Sequence, residues 1–412
     1  MRLLFLSNFY PPCDRGGLES LCQEVADGLR KRDHFVWVLS SKCDKLSVSN
    51  KSANAIYSLY IQAGINYYRP LDFFMERRFN ERANGQALRN ALDQLSPDLV
   101  VVWGMWNLSR YLPFWAEQWM PGRVAYYVSD TWPIDMDIHE NYWRLPARHR
   151  TSELIKKLLR FLALRQLRRE GYPPPLYFQH AVCCSQYIRD MLVDGGKLPE
   201  STGVLYHGID PVQFLREVPD QTVMQERPLR LVYFGRLASI KGVHTAIEAV
   251  GILRQRGLAN HIDLTILGSG HPDYEAYLRT KAMELDVGSC VHFVGRVHWD
   301  ALLSHLKSSD IFLFTSTGRE AMARTVMEAM AAGLLVVGTQ AGGQKEMLFD
   351  GENALVFQAG DATSLADCIA RVINEPSMRW RLALAGQQMI LERFTLKRMV
   401  DDVEKWLQAI GR

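Results

Sequence analysis

Glu320 and Glu328 are the residues through which this sequence first suggests chemistry. They stand in the stretch 312–346, FLFTSTGREAMARTVMEAMAAGLLVVGTQAGGQKE. An apolar strand ends at Ser316, a loop carries Glu320, and an Ala-rich helix carries Glu328 just inside its start. A second apolar strand over 334–338 leads to Gly342-Gly343. Strand, loop, helix, strand is half of a parallel α/β sheet, whose ligands sit beyond the carboxyl ends of the strands. Two carboxylates at that edge are suited to hold hydroxyls, and the helix N-terminus beside them is suited to hold a phosphate. Together they point to a sugar nucleotide.

A second constellation supplies positive charge. Phe234-Gly235-Arg236 is followed, after four residues, by Lys241-Gly242. Glycine at a strand end lets a ligand approach the backbone closely, and Arg236 and Lys241 place two cations over one loop. A charge pair at about 4 Å contributes roughly 4 kcal/mol at an effective dielectric near 20. Two cations and a helix N-terminus would therefore serve a diphosphate leaving group without a divalent metal. Gly268-Ser269-Gly270 closes another strand, but Asp273 stands where GxGxxG needs its last glycine, so a nicotinamide cofactor is not supported. Gly16-Gly17 opens the first helix, where backbone amides face a phosphate or simply form a helix-entry turn.

Carboxylates also crowd the stretch SDTWPIDMDIHENYW. Asp135-x-Asp137 has the look of a metal pair, yet it lies in a loop well past the strand end, which argues against converging ligands. Asp130, directly after YYVS, is better placed to face a cleft.

The elements that must position these groups recur in two rounds. Strands are expected over 2–7, 35–39, 98–103, 123–128, 180–185 and 204–206, alternating with helices such as 18–30, 82–95 and 152–170. After a polar linker at 213–228 the pattern restarts, with strands near 229–234, 262–267, 291–294, 310–314 and 334–338 and a helical tail from 361. This alternation predicts α/β architecture with parallel sheets, in two doubly wound domains facing across a cleft. A chain of 412 residues suits two cores.

Apolar residues make up 48% of the chain, which argues against disorder, and a net charge of +3 implies no global acidic partner. Nothing reaches the length of a membrane-spanning helix, and MRLLFLSNFYPP reads as a buried strand rather than a leader. The scattered cysteines, Cys13, Cys22, Cys43, Cys183, Cys184, Cys290 and Cys368, show no CxxC spacing, so reduced thiols in a cytosolic protein are expected. The stretch 148–169 is basic, with Leu154, Leu158, Leu162 and Leu167 near helical spacing. The simpler reading is a helix packed on its sheet with a solvated basic face; the sharper one is a helix lying on an anionic membrane. No basic patch interleaved with aromatics suggests nucleic acid.

These motifs, in this order and spacing, resemble glycosyltransferase family 4, the retaining enzymes of GT-B fold. SNFYPPCDRGGLE, VCCSQYIRD, HGIDPVQF, FGRLASIKG, AGGQKEM and DGENALVF carry the resemblance, which is strongest over 232–356. It implies an acceptor-binding Rossmann-like domain over 1–212, a nucleotide-sugar domain over 213–390, and a last helix, 391–412, crossing back onto the first. Glu328 would accept from ribose hydroxyls, Glu320 would face the donor sugar, and amides around Ala323 to Thr325 would meet the diphosphate or sugar. The implied donor set also takes in Gly16, Gly17, Gly235, Arg236 and Lys241. Gly268, Gly295, Arg296, Met322 and Arg324 complete it. Asp130, Arg236, Lys241 and Glu320 would attend the reacting bond.

Three departures stand out. Met322-Ala323 replaces the family's usual Phe-Gly, and the Ala323 methyl would narrow donor choice. Gly333-Leu334-Leu335 lacks the usual proline. Ser129-Asp130 stands where a histidine is common, which makes Asp130 the candidate at the reaction centre.

The implied activity is transfer of a sugar from a nucleoside-diphosphate sugar to a hydroxyl, with retention and with neither metal nor other cofactor. The acceptor would be a saccharide, a lipid-linked saccharide or a small molecule, and the site of action the cytoplasm or the inner face of its membrane. A nucleotide-sugar epimerase on the same fold and a non-catalytic sugar-nucleotide-binding partner of a membrane assembly remain as alternatives.

Overall fold

The computed structural model describes residues 1–13, 16–43, 53–64, 67–147, 153–215 and 227–411. Arg15, most of the linker and the first residues of the basic stretch, 148–152, lie outside the described residues. The chain forms two compact units. One comprises Met1–Cys184, Ile188–Leu205 and Val400–Arg412; the other comprises Ser185–Tyr187 and Tyr206–Met399. The change of unit thus falls at 205/206 and again at 399/400, against the 212/213 and 390/391 read from the sequence.

The first unit is built on a parallel sheet of β1 (Arg2–Ser7), β2 (Phe35–Ser41), β3 (Ala55–Leu59), β4 (Leu99–Gly104), β5 (Val124–Val128), β6 (His180–Cys183) and β7 (Gly203–Val204). Their order is β3-β2-β1-β4-β5-β6-β7. Helices cover both faces of such sheets, so central strands are continuous apolar runs; β4 and β5 are buried along their whole length. β3 escapes sequence inspection because it is a half-buried edge strand, AIYSL. The helix Gly17–Arg30 buries Leu21, Cys22, Val25, Ala26 and Leu29 as one stripe. Gly28 lets Val400 pack close, since a Cβ there would meet the valine at 2.7 Å. Arg32 adds ion pairs at 2.6 Å to Asp401 and to Glu404 in the same returning segment. A satellite core of Phe73, Trp143, Ala163, Leu167 and Tyr172 lies apart from the main one.

One expectation is overturned here. Cys13 and Cys43 are joined as a disulfide, linking the exits of β1 and β2. Their thirty-residue separation hid the pair, because spacing alone does not reveal which strand ends become neighbours. The remaining five cysteines are buried and lie outside any disulfide.

The second unit has β8 (Leu229–Phe234), β9 (Ile262–Leu267), β10 (Val291–Gly295), β11 (Ile311–Phe314), β12 (Leu335–Gly338) and β13 (Leu355–Val356), in the order β10-β9-β8-β11-β12-β13. All pairings are parallel. At the amino edge, Asp310 is almost fully buried; it pairs with Arg227 at 2.7 Å and Arg379 at 3.3 Å and accepts from the Arg230 amide. Both sheets reverse strand order at their first strand, between β1 and β4 and between β8 and β11. Such reversals open a crevice at the carboxyl ends.

Candidate functional site

At the β8/β11 reversal, backbone approaches backbone so closely that only glycine fits. Gly268 has φ +135°, and a Cβ there would lie 1.8 Å from the Gly235 carbonyl oxygen. Gly235 itself has φ +150° and Gly295 +86°, and Gly268 N–H donates to the Gly295 oxygen at 2.8 Å. The ends of β8, β9 and β10 are thereby stripped of side chains. The loop after β8 is stitched to the one after β11: Thr315 Oγ1 donates to the Lys241 carbonyl at 2.8 Å, and Thr317 N–H to Ile240 at 2.9 Å. Gly242, at φ +65°, leaves no room for a Cβ, which would fall 2.1 Å from the Thr315 oxygen.

This stitching brings Lys241 Nζ to 2.6 Å from Glu320 Oε1. Ser316 Oγ also donates to Glu320. Gly343 N–H donates to the Glu320 carbonyl at 2.8 Å, and a Cβ on Gly342 would sit 2.1 Å from that oxygen. The Gly-Gly pair after β12 therefore fixes the Glu320 backbone. Arg236 is exposed, with no ion pair among the described residues, and Arg296 is exposed as well.

The helix Arg324–Ala331 starts next to this pair, and no side chain caps its N-terminus. Ala323 is extended at φ −77°, a conformation open to any residue, so alanine in place of glycine strains nothing. Met322 and Glu328 are buried, Thr325 is half-buried, and Arg324 Nε lies 3.7 Å from Glu328 Oε1. Below them His207 is fully enclosed. Burial lowers it to about 3, the Arg324 and Arg398 charges push the same way, and a hydrogen bond with the Met322 backbone pulls back. Gln344 is also wholly buried, with neither amide atom hydrogen-bonded among the described residues. The sequence gives site roles to Arg236, Lys241, Glu320 and Glu328, but marks Ser316 only as a strand end and His207 and Gln344 only as members of HGIDPVQF and AGGQKEM. A polar residue ending or following an apolar strand was the one signal available for them.

The first unit differs at its own reversal. Gly16 and Gly17 are exposed at a helix start, but Gly16 is extended and the Glu19 carboxylate lies against it; a Cβ would meet Oε2 at 3.3 Å. Asn8 follows β1, and its buried Oδ1 has no partner among the described residues. Trp106, beyond β4, is exposed and leans on Phe9 with ring centres 6.2 Å apart. Asp130, one strand further, accepts from the Trp132 amide at 3.0 Å. Its carboxyl is raised to about 6, chiefly by burial; the Trp132 bond lowers it, Asp135 raises it and Arg110 lowers it. Asp135 accepts from Thr131 at 2.5 Å, while Asp137 caps the helix Ile138–Arg144 and accepts from Tyr172 at 2.6 Å. Each of those two carboxylates has a structural partner.

Residues 216–389 match the model for glycosyl transferases group 1, and residues 15–213 match that for glycosyltransferase family 4. The chain belongs to glycosyltransferase family 4. This family 4 chain is 32% identical over 206 residues to the amylovoran biosynthesis glycosyltransferase AmsK of Erwinia amylovora, a match covering 48% of the chain and 49% of the relative. It is also 32% identical over 168 residues to the lipopolysaccharide core biosynthesis glycosyltransferase LpsE of Rhizobium meliloti, covering 40% and 46%. The chain spans about half the length of the curated relatives it matches. Among solved structures, a glycosyltransferase from Rickettsia africae superposes with TM-score 0.72 at 16% identity, covering 99% and 98% of the two chains. Anabaena HepE in complex with UDP gives 0.71 at 19%, covering 99% and 100%. At such identities the likeness is one of fold: two Rossmann-like domains of the GT-B class.

Proposed function

We propose that this family 4 chain is a retaining glycosyltransferase. It moves a sugar from a nucleoside-diphosphate sugar to an acceptor hydroxyl, in polysaccharide or glycoconjugate biosynthesis. The observation that carries the reading is the Lys241–Glu320 pair across the β8/β11 reversal, beside an uncapped helix N-terminus. Arg236, Lys241 and that N-terminus receive the diphosphate, Glu328 accepts from the ribose, and Glu320 faces the donor sugar. Gly235, Gly268 and Gly295 leave the strand ends open to the nucleotide.

As the anomeric C–O bond to phosphate breaks, charge builds on the departing diphosphate and Arg236 and Lys241 bind it more tightly. Neither a divalent metal nor another cofactor is required. The acceptor oxygen bonds to the anomeric carbon on the face the phosphate leaves, and its proton passes to the diphosphate. The named roles of AmsK and LpsE support a saccharide or lipid-linked saccharide acceptor, and the HepE complex with UDP supports a uridine nucleotide. Trp106, in the first unit, offers an apolar face for an acceptor sugar ring. The proposed place of action is the cytoplasm or the inner face of its membrane, a reducing compartment in which the Cys13–Cys43 disulfide would be reduced to two thiols.

Incubation of the full chain with candidate nucleotide sugars and acceptors, followed by proton NMR, tests this. Product with the donor's anomeric configuration is expected, unaffected by EDTA. Donor isomerised without acceptor would replace the reading with an epimerase; donor bound but unconsumed would replace it with a non-catalytic partner.

A further inference from the structure

The helix Glu153–Arg169 has apolar side chains on two opposite sides. One side is buried: Ala163 and Leu167 join the satellite core, and Lys156 turns inward onto the Tyr142 ring at 4.0 Å. The other side carries Leu154, Ile155, Leu158, Phe161 and Leu162, whose exposures run from 47% to 78%. At 100° per residue these five share a stripe about 120° wide. A helix resting on its sheet with a merely solvated basic face would not leave its largest apolar groups in water.

Charge identifies the occupant. Arg165, Arg168 and Arg169 continue the same stripe toward the C-terminus, Lys157 flanks it, and all four are exposed. The acidic residues at the two ends are already engaged. Glu153 binds the Ala147 amide at 2.5 Å and lies 3.6 Å from Arg160, and Glu170 is held by Arg77 and Arg78. A second copy placed on this face would enclose four cations without a counter-charge, which is costly. Anionic lipid supplies that charge, and acyl chains receive the stripe. No described helix is long and apolar enough to cross a membrane, so a membrane contact made by this one would be interfacial.

We infer that the Glu153–Arg169 face docks the protein on a bilayer of anionic lipid, with Leu154, Ile155, Leu158, Phe161 and Leu162 inserted and Arg165, Arg168 and Arg169 on the headgroups. The inference rests on the membrane location proposed above and adds the surface that makes the contact.

The test is co-sedimentation of the full chain with phosphatidylcholine vesicles, with or without roughly one part in three of phosphatidylglycerol. The protein should pellet with the anionic vesicles alone, and salt should release it. Leu158→Ser with Phe161→Ser should weaken binding about tenfold or more. Arg165→Glu with Arg168→Glu and Arg169→Glu should weaken it by about fivefold for each charge lost. Because these side chains are exposed, nucleotide-induced thermal shifts should be unchanged in both variants. Absence of pelleting, equal pelleting with neutral vesicles, or a dimer dispersed by the serine variant would each overturn the inference. A missing nucleotide shift in the parent chain would instead count against the donor site and leave this surface standing.

Discussion

In the second unit the helix beginning at Arg324 has no side chain on its N-terminus, and Lys241 and Glu320 meet beside it. In the first unit the helix beginning at Gly17 carries Glu19 folded back against Gly16. Both helices occupy the ligand edge of a parallel sheet and neither has a side-chain cap, yet the first has the Glu19 carboxylate close to its start while the second has Lys241 paired with Glu320 before it. On the proposed reading, the reversal between β8 and β11, with Arg236 and Lys241, would take an anion. The reversal between β1 and β4, with Asn8, Phe9 and the exposed Trp106, would on the same reading take a neutral, ring-shaped ligand. On that reading a few loop residues give equivalent topology two chemistries, which is why function is argued from the site and not from the fold.

Several substitutions would break or sharpen this contrast. The largest effect is expected from Asp310→Ala, which strands Arg227 and the buried Arg379. A loss of about 3–5 kcal/mol should appear in urea unfolding, confined to the second unit's transition. Equal loss in both transitions would deny that the units hold their sites independently. Lys241→Ala should lower turnover by about 100- to 1,000-fold with an unchanged circular dichroism spectrum. Wild-type turnover would remove the charge from the account of the second site.

Acid should act differently on the two halves, because in the first unit the carboxyls of Glu81, raised to about 7, and Asp130, raised to about 6, gain stability as pH falls and oppose the loss at His139. His207 is lowered to about 3 and His139, also chiefly by burial, to about 4, from an ordinary 6.5. Above pH 6.5 each is neutral folded or unfolded. Below it the unfolded chain binds protons that the folded chain refuses. The contribution of each histidine should therefore fall as pH drops from 6.5 toward those values, by up to about 1.4 kcal/mol per pH unit, so the net loss should show in the second unit. His207→Asn should flatten part of that slope in equilibrium unfolding. The smallest effect is expected from Trp106→Ala: a rise in acceptor KM of about fivefold with donor affinity untouched. A changed donor affinity instead would erase the division of labour between the two edges.

The second site was largely legible from sequence because its chemistry is local. Gly235, Arg236 and Lys241 fall in one loop, Glu320 and Glu328 flank one helix start, and charged residues after apolar strands stand out. What remained hidden depends on strands brought together from afar. Gly342 was visible as a residue, but its close approach to Glu320 emerges only when β11 and β12 pair. The Cys13–Cys43 disulfide likewise needs β1 beside β2. β3 and β13 are short edge strands without an apolar run to mark them. The helix Glu153–Arg169 was visible as basic and leucine-rich, but which leucines face the core is set by packing with Phe73 and Trp143, not by period.

The central claim is that the β8/β11 edge holds a nucleoside diphosphate through its own charges. A thermal-shift panel of uridine, guanosine and adenosine diphosphates and their sugars, with Mg²⁺ or EDTA, tests it most directly on the parent chain and on Lys241→Ala. Stabilisation by one nucleotide class, insensitive to EDTA and lost in the variant, is expected. A shift that requires Mg²⁺, or one that survives the loss of Lys241, would contradict the claim.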